Sequence, residues 1–194
     1  MGKIYCIMGK SSSGKDSIYK QLMEQGEPVL KPIIPYTTRP LRDGEVEGRE
    51  YHFCGEETVQ ALKDKGVIVE LRAYNTVYGI WKYFTVDDGQ IDLEHFNYLY
   101  IVTLEGYVQI QRYFGKDKVV PIYIEVEDGE RLLRAIERER QQETPHYEEM
   151  CRRFLADAAD FSEEKLREAG ITKRFCNREL EEIIRKVTAY IRSR

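Results

Sequence analysis

Residues 9–17, Gly9-Lys10-Ser11-Ser12-Ser13-Gly14-Lys15-Asp16-Ser17, decide the fold. Gly9 to Lys15 fit the first seven positions of the phosphate-binding loop pattern G-x-x-x-x-G-K-[ST]. The preceding Lys3-Ile4-Tyr5-Cys6-Ile7-Met8 is short, apolar and partly β-branched, so it reads as a buried strand. After the loop, Ile18, Leu22 and Met23 recur at helical spacing. Strand, glycine loop and helix in that order separate a phosphate site from a glycine turn that merely carries an exposed lysine. Gly9 and Gly14 can take backbone angles that a Cβ forbids. The loop N–H groups then converge as an anion nest at a helix N-terminus. Lys15 adds a full positive charge that reaches the terminal phosphates of a nucleotide.

One position breaks the pattern. Asp16 stands where Ser or Thr would offer Mg²⁺ a hydroxyl. A carboxylate is also a hard oxygen ligand, and Ser17 follows at once with a hydroxyl, so both are candidate metal ligands. The alternative for Asp16 is an acidic residue favoured at a helix N-terminus by the macrodipole.

A chain of 194 residues forms one domain, or one domain with embedded subdomains. A chain of this size buries roughly 70% of its unfolded surface. The net charge of -4 argues against a general nucleic-acid binder, so any phosphate site must be local. Cys6, Cys54, Cys151 and Cys176 form no C-x-x-C pair, which argues against zinc or a disulfide scaffold and suits the reducing cytoplasm. No apolar stretch is long enough for a membrane span, and a strand starting at residue 3 leaves no room for a signal peptide. Oligomeric state stays open between monomer and homodimer.

Along the chain, residues 15–25 read as a helix closed by Gly26, and Val29–Ile34 as an irregular or edge strand among prolines. Next comes Tyr36-Thr37-Thr38-Arg39-Pro40-Leu41-Arg42-Asp43-Gly44-Glu45-Val46-Glu47-Gly48-Arg49-Glu50-Tyr51-His52-Phe53. Two arginines three residues apart, a glycine turn, a glutamate and a tyrosine can gather round one anion, because each guanidinium meets phosphate oxygens as a planar fork. Residues 56–65 read as a short helix, Val67–Ala73 as a strand carrying Glu70, and Tyr78–Trp81 as resumed strand. Tyr98–Leu104 and Val119–Val126 read as strands with a helix over Glu105–Phe114 between them. From Asp128, a good N-cap, to about Gly170 the chain is helical and charged, broken at Thr144-Pro145. Arg134 and Arg138, four apart, share one helix face. A short strand over Thr172–Cys176 and a helix over Arg178–Arg194 close the chain.

Glycine loop, then T-T-R-x-x-R-x-G-E-x-x-G-x-x-Y-x-F, then a strand glutamate, then Tyr-Gly, then an arginine-bearing helical segment: this order resembles guanylate kinase over nearly the whole chain. The second motif is far more specific than the first. The resemblance implies an α/β P-loop NTPase fold, a parallel sheet flanked by helices with an inserted mixed α/β acceptor-binding subdomain and a helical lid. Its expected borders are a core of residues 1–35, 85–128 and 154–194, an acceptor-binding subdomain of 36–84 and a lid of 129–153. It implies ATP as donor with Mg²⁺, GMP as acceptor, and GDP and ADP as products. Carried over residue by residue, Lys15 and the loop amides hold the ATP phosphates. Arg39, Arg42, Tyr51 and Tyr78 grip the acceptor phosphate, and Glu45 is the acidic residue of that pocket. Glu70 reads the guanine edge. Arg134, Arg138 and Arg153, or Arg152 in the last place, close over the transferring group.

The chain departs from that family at the base. Pro35 and Ile80 stand where it has hydroxyls, and Ile101 and Thr103 replace two aspartates. The step from Glu70 to Tyr78 is one residue short. A carboxylate suits the N1–H and 2-amino donors of guanine and opposes the lone pair at adenine N1. The guanine O6 is left without its hydroxyls, and an unpaired buried acceptor costs about 1–3 kcal/mol. Two alternatives therefore stand beside GMP phosphorylation: the same chemistry on a non-guanine phosphorylated acceptor, and a non-catalytic binding module. His52, His95 and His146 read as structural, because an acceptor phosphate is already ionised and needs no general base.

Overall fold

The structure, a computed structural model, describes residues 1–76 and 78–194. Strand β1 (Ile4–Met8) is buried along its whole length, as the apolar hexapeptide requires. It lies at the centre of a five-stranded sheet. Strands β2 (Leu30–Pro32) and β7 (Asn97–Ile101) lie on one side of it, β8 (Val119–Glu125) and β9 (Arg174–Cys176) on the other, in the order β2-β7-β1-β8-β9. Every pairing in this sheet is parallel. The pleat divides β1 between two cores. Ile4, Cys6 and Met8 join Tyr98, Tyr100, Tyr107 and Leu166 on one face. Tyr5 and Ile7 join Ile18, Leu22, Ile183 and Val187 on the other, where α1 (Lys15–Glu24) and α7 (Leu180–Arg192) cover the sheet. Because the sheet continues in opposite directions from β1, the loop after β1 opens at its topological switch point.

The expected parallel sheet flanked by helices is therefore present, and with it a second sheet in the order β4-β3-β6-β5. Strands β3 (Tyr36–Thr37) and β4 (His52–Phe53) bracket the arginine-rich stretch. Strands β5 (Ile68–Thr76) and β6 (Gly79–Val86) form an antiparallel hairpin, with α2 (Glu56–Asp64) ahead of it. Val59, Phe84 and Val86 make its own small core. The remaining helices are α3 (Leu104–Phe114), α4 (Asp128–Arg140), α5 (Tyr147–Asp160) and α6 (Glu163–Glu168). The break at Thr144-Pro145 separates α4 from α5, and α5 runs on unbroken past residue 153.

Two caps differ from expectation. The strand expected over Tyr98–Leu104 ends at Ile101, because the Thr103 hydroxyl accepts from the Gly106 N–H at 3.1 Å and starts α3. Glu127, not Asp128, caps α4 by accepting from the Glu130 N–H at 3.0 Å. Asp128 instead receives Lys10 and Arg131.

The loop is fastened from the far edge of the sheet. Asn177, just after β9, donates its buried side-chain amide to the Ser13 carbonyl at 2.9 Å. Gly14 sits at φ +82, and a Cβ there would meet that same amide nitrogen at 2.5 Å. Gly14→Ala is expected to destabilise the fold by about 1–2 kcal/mol through the left-handed backbone alone, and more through the clash. Urea denaturation should show Gly14→Ala/Asn177→Ala recovering only the clash component; full recovery would remove the backbone argument.

Candidate functional site

The loop is a concavity built by close approach. A Cβ on Gly9 would lie 2.5 Å from the Ile124 carbonyl oxygen of β8, so only glycine fits against the neighbouring strand. Ser12 takes a positive φ of 61, the one described non-glycine residue to do so. The Ser12 and Ser13 hydroxyls are buried with no hydrogen-bond partner among the described residues. Lys15 opens α1 and lies 3.5 Å from the exposed Asp16 carboxylate. Asp16 and Ser17 are both exposed on the first turn. Among the described residues no group of three carboxylate, His or Cys side chains converges on a metal position. The hard oxygens of Asp16 and Ser17 suit Mg²⁺ only as part of a set completed by phosphate oxygens and water.

One loop amide already carries an anion. The Asp157 carboxylate of α5 accepts from the Ser11 N–H at 2.7 Å. Arg131 donates to the Ser11 carbonyl at 2.9 Å and to Asp157 at 3.3 Å, pairs with Asp128 at 2.8 Å, and lies over the Phe154 ring. Arg131 is 1% exposed, so this guanidinium ties α4, α5 and the loop together in the interior. The sequence gives Arg131 no role of its own within the charged helical stretch. Its signal was weak, because the partners at Ser11 and Asp157 are remote in sequence.

The expected lid arginines face different spaces. Arg138 and Arg153 line a small pocket with Ser11, Ser12 and Arg131. Arg134 pairs with Glu130 at 3.1 Å and opens into a cavity of about 810 Å³ whose walls include Lys10, Asn177 and Arg178. Glu149 accepts from Arg152 at 2.6 and 2.8 Å and from Arg153 at 2.8 Å. Those bonds, those from Arg152 above all, hold its carboxyl down at about 2.

The second motif is also self-paired. Arg39 is 4% exposed. Its fork meets Glu45 at 2.7 and 2.5 Å, and its guanidinium lies 5.0 Å from the Tyr51 ring. Glu45 takes the Arg42 N–H as well, at 3.0 Å. The Arg42 side chain is exposed, with no ion pair among the described residues. So Glu45 occupies the Arg39 fork, and of the two arginines Arg42 is the one whose side chain is open to solvent.

Glu70 is brought to the inserted sheet's inner face but not to solvent. Its side chain is 0% exposed. It accepts from Arg72 Nε at 2.9 Å, from Arg72 Nη2 at 3.2 Å and from the Thr85 hydroxyl at 2.9 Å, and Thr85 is bonded to the Tyr100 hydroxyl. Arg72, which the sequence reading left unassigned, covers the carboxylate. The signal was present: residues i and i+2 of a strand share a face. Arg72 lines a cleft of about 870 Å³ with Tyr51, Tyr74, Tyr83, Glu149 and Arg152, between the inserted sheet and α5. Tyr78 lies outside it, 81% exposed and stacked on Trp81.

The Arg39 bond is the main reason the Glu45 carboxyl is lowered to about 2. A carboxyl lowered on folding contributes stability that is complete above its unfolded pKa of about 4.3 and disappears as pH falls through the folded value. Glu45→Gln is therefore expected to be less stable than the parent near neutral pH, with the gap closing between about pH 4.3 and about pH 2. Urea midpoints across that range check it; a gap that persists undiminished at the acid end would contradict it.

Comparison with known proteins agrees with this architecture. The family model described as "Guanylate kinase" matches residues 1–194. A guanylate kinase of Chromobacterium violaceum is 36% identical over 80 residues, 41% of this chain and 38% of its own. One of Mycoplasma mobile is 34% identical over 128 residues, 63% of this chain and 62% of its own. The matched stretches thus take in less than two thirds of these relatives' lengths. A crystal structure of guanylate kinase from Anaplasma phagocytophilum superposes with a TM-score of 0.66 at 22% identity, covering 99% of this chain and 85% of that one, a likeness of fold. With the family matched from the first residue to the last, the chain belongs to the guanylate kinase family.

Proposed function

We propose that the protein transfers the γ-phosphoryl group of ATP to the phosphate of GMP, giving ADP and GDP. The observation that carries this reading is the position of α4 and α5. Arg138 of α4 and Arg153 of α5 line the space over the glycine loop, and Arg152 of α5 lines the cleft of the inserted sheet. A donor phosphate on the loop and an acceptor in the cleft would meet beneath them. We read residues 1–35, 85–128 and 154–194 as the core, 36–84 as the acceptor-binding part and 129–153 as the lid.

In this reading Lys15 and the loop amides hold the β- and γ-phosphates, and the 810 Å³ cavity beside Arg134 takes the rest of ATP. Arg138 and Arg153 neutralise charge as the bond from the γ-phosphorus to the β-bridging oxygen breaks. An oxygen of the acceptor phosphate forms the new bond, and no proton has to be removed from it. Asp16 and Ser17 would hold Mg²⁺ together with phosphate oxygens, and the ion would supply further charge neutralisation. Arg42 and Tyr51 grip the acceptor phosphate; Arg39 joins when Glu45 yields. Closure excludes water, so that ATP is not hydrolysed instead. The four cysteines, all free thiols, accord with the cytoplasm as the place of action. No described helix is long and apolar enough to cross a membrane.

A specific observation also favours the second reading, a kinase for another phosphorylated acceptor: the carboxylate meant to read guanine is sealed by Arg72.

An ADP-release assay tests the proposal. Lys15→Ala is expected to lower kcat by about 10²–10³, the usual loss when a donor to developing charge is removed. Arg42→Ala is expected to raise the acceptor KM about tenfold or more, the worth of a hydrogen bond to a charged group, with kcat little changed. Undiminished turnover in Lys15→Ala would overturn the loop's assignment.

A further inference from the structure

Of the Glu70–Arg72 pair, the group that reaches the acceptor cleft is the guanidinium, not the carboxylate; Glu149, the carboxylate on the α5 side of the cleft, is already held by Arg152 and Arg153. Glu70 has three donors on its two oxygens and no exposed side-chain surface. A Cβ on Gly106 would come within 3.5 Å of its Oε2, so the backbone of α3 closes the side away from the cleft. Arg72 uses Nε and one edge of Nη2 on Glu70. Its Nη1 has no partner among the described residues, and the side chain reaches the cleft wall. An arginine bound side-on in this way keeps its end-on fork, one N–H each from Nη1 and Nη2, for a second partner. Around it stand Tyr51, Tyr74 and Tyr83, their rings edge-on to one another at 5.7 Å, aromatic surface of the kind on which a flat base packs.

We infer that Arg72 reads the acceptor's base, and that the base offers it two adjacent hydrogen-bond acceptors. The inference rests on the kinase reading above and names what that site selects. Two bases carry such an edge. Guanine has O6 beside N7, the pair an arginine fork meets most often. Cytosine has O2 beside N3. The Watson–Crick donors of guanine, N1–H and the 2-amino group, would find no acceptor on Arg72, which offers N–H donors alone. Adenine puts an N–H donor beside N7 and is rejected for the same reason. Glu70 keeps Arg72 aimed, and Thr85 with Tyr100 keeps Glu70 in place.

The test compares kcat/KM in the ADP-release assay for GMP, IMP, 7-deazaguanosine monophosphate, CMP and UMP with the unaltered protein. If guanine is the base, IMP, which lacks the 2-amino group but keeps O6 and N7, should stay within about threefold of GMP. The 7-deaza analogue should fall about tenfold or more. If cytosine is the base, CMP should exceed both GMP and UMP by a similar factor. A tenfold fall for IMP with the 7-deaza analogue used as well as GMP would overturn the inference and return the base to Glu70. So would indifference to all five bases. A second measurement uses Arg72→Lys, which keeps the charge beside Glu70 but loses the fork. Its acceptor KM should rise about tenfold with the ATP KM unchanged, and an unchanged acceptor KM would count against Arg72. ADP release with none of the monophosphates would remove the kinase reading and the inference together, whereas turnover with the wrong base pattern removes only the inference.

Discussion

The Gly9 main chain lies so close to the Ile124 carbonyl that a hydrogen is all the space admits. That approach follows from the order of the sheet. β1 is flanked by β7 and β8, so whatever follows β1 must leave between two strands' carboxyl ends. The loop turns tightly there, with positive φ at Ser12 and Gly14, and the helix after it starts with its N–H groups aimed back at the opening. Asn177 then holds Ser13 from β9, across the whole half-sheet. Site and sheet are one construction: loosening β8 or β9 would loosen the nest.

A second regularity unites the polar interior. Three donors around the two clefts are held by internal carboxylates: Asp157 on the Ser11 amide, Glu45 on Arg39, Glu70 on Arg72. A buried unpaired charge costs several kcal/mol, so such donors cannot stand empty. The three carboxylates differ in how readily they give way. Glu45 is partly exposed on a loop and can swing out. Asp157 sits on a helix, where movement of α5 would withdraw it. Glu70 is locked by Thr85, Tyr100 and the backbone of α3. In the proposed reaction the first two pairings are the ones that phosphate would displace, while the third stays in place.

Arg131 joins α4 and α5 to the glycine loop. Its buried guanidinium bridges Asp128 at the start of α4, Asp157 on α5 and the Ser11 carbonyl. In the proposed reaction this bridge would transmit movement of either helix to the glycine loop.

What the sequence by itself determined lies in patterns short enough to be local. The apolar hexapeptide, the glycine spacing and Lys15 specify strand, nest and helix within 17 residues, because backbone sterics and helix polarity act over a few bonds. The T-T-R to Tyr-x-Phe motif likewise identified the family. Tertiary structure alone decided the roles of the charged side chains. Arg131 stands in a stretch that the sequence marks only as helical and charged, and it is buried because Ser11 and Asp157 approach it from 120 and 26 residues away. Glu70 looked like a base reader and is sealed, because Thr85 from the paired strand and Tyr100 from the neighbouring sheet meet behind it. A charge takes its function from what stands within hydrogen-bond reach, and for these residues those neighbours are brought in by the fold.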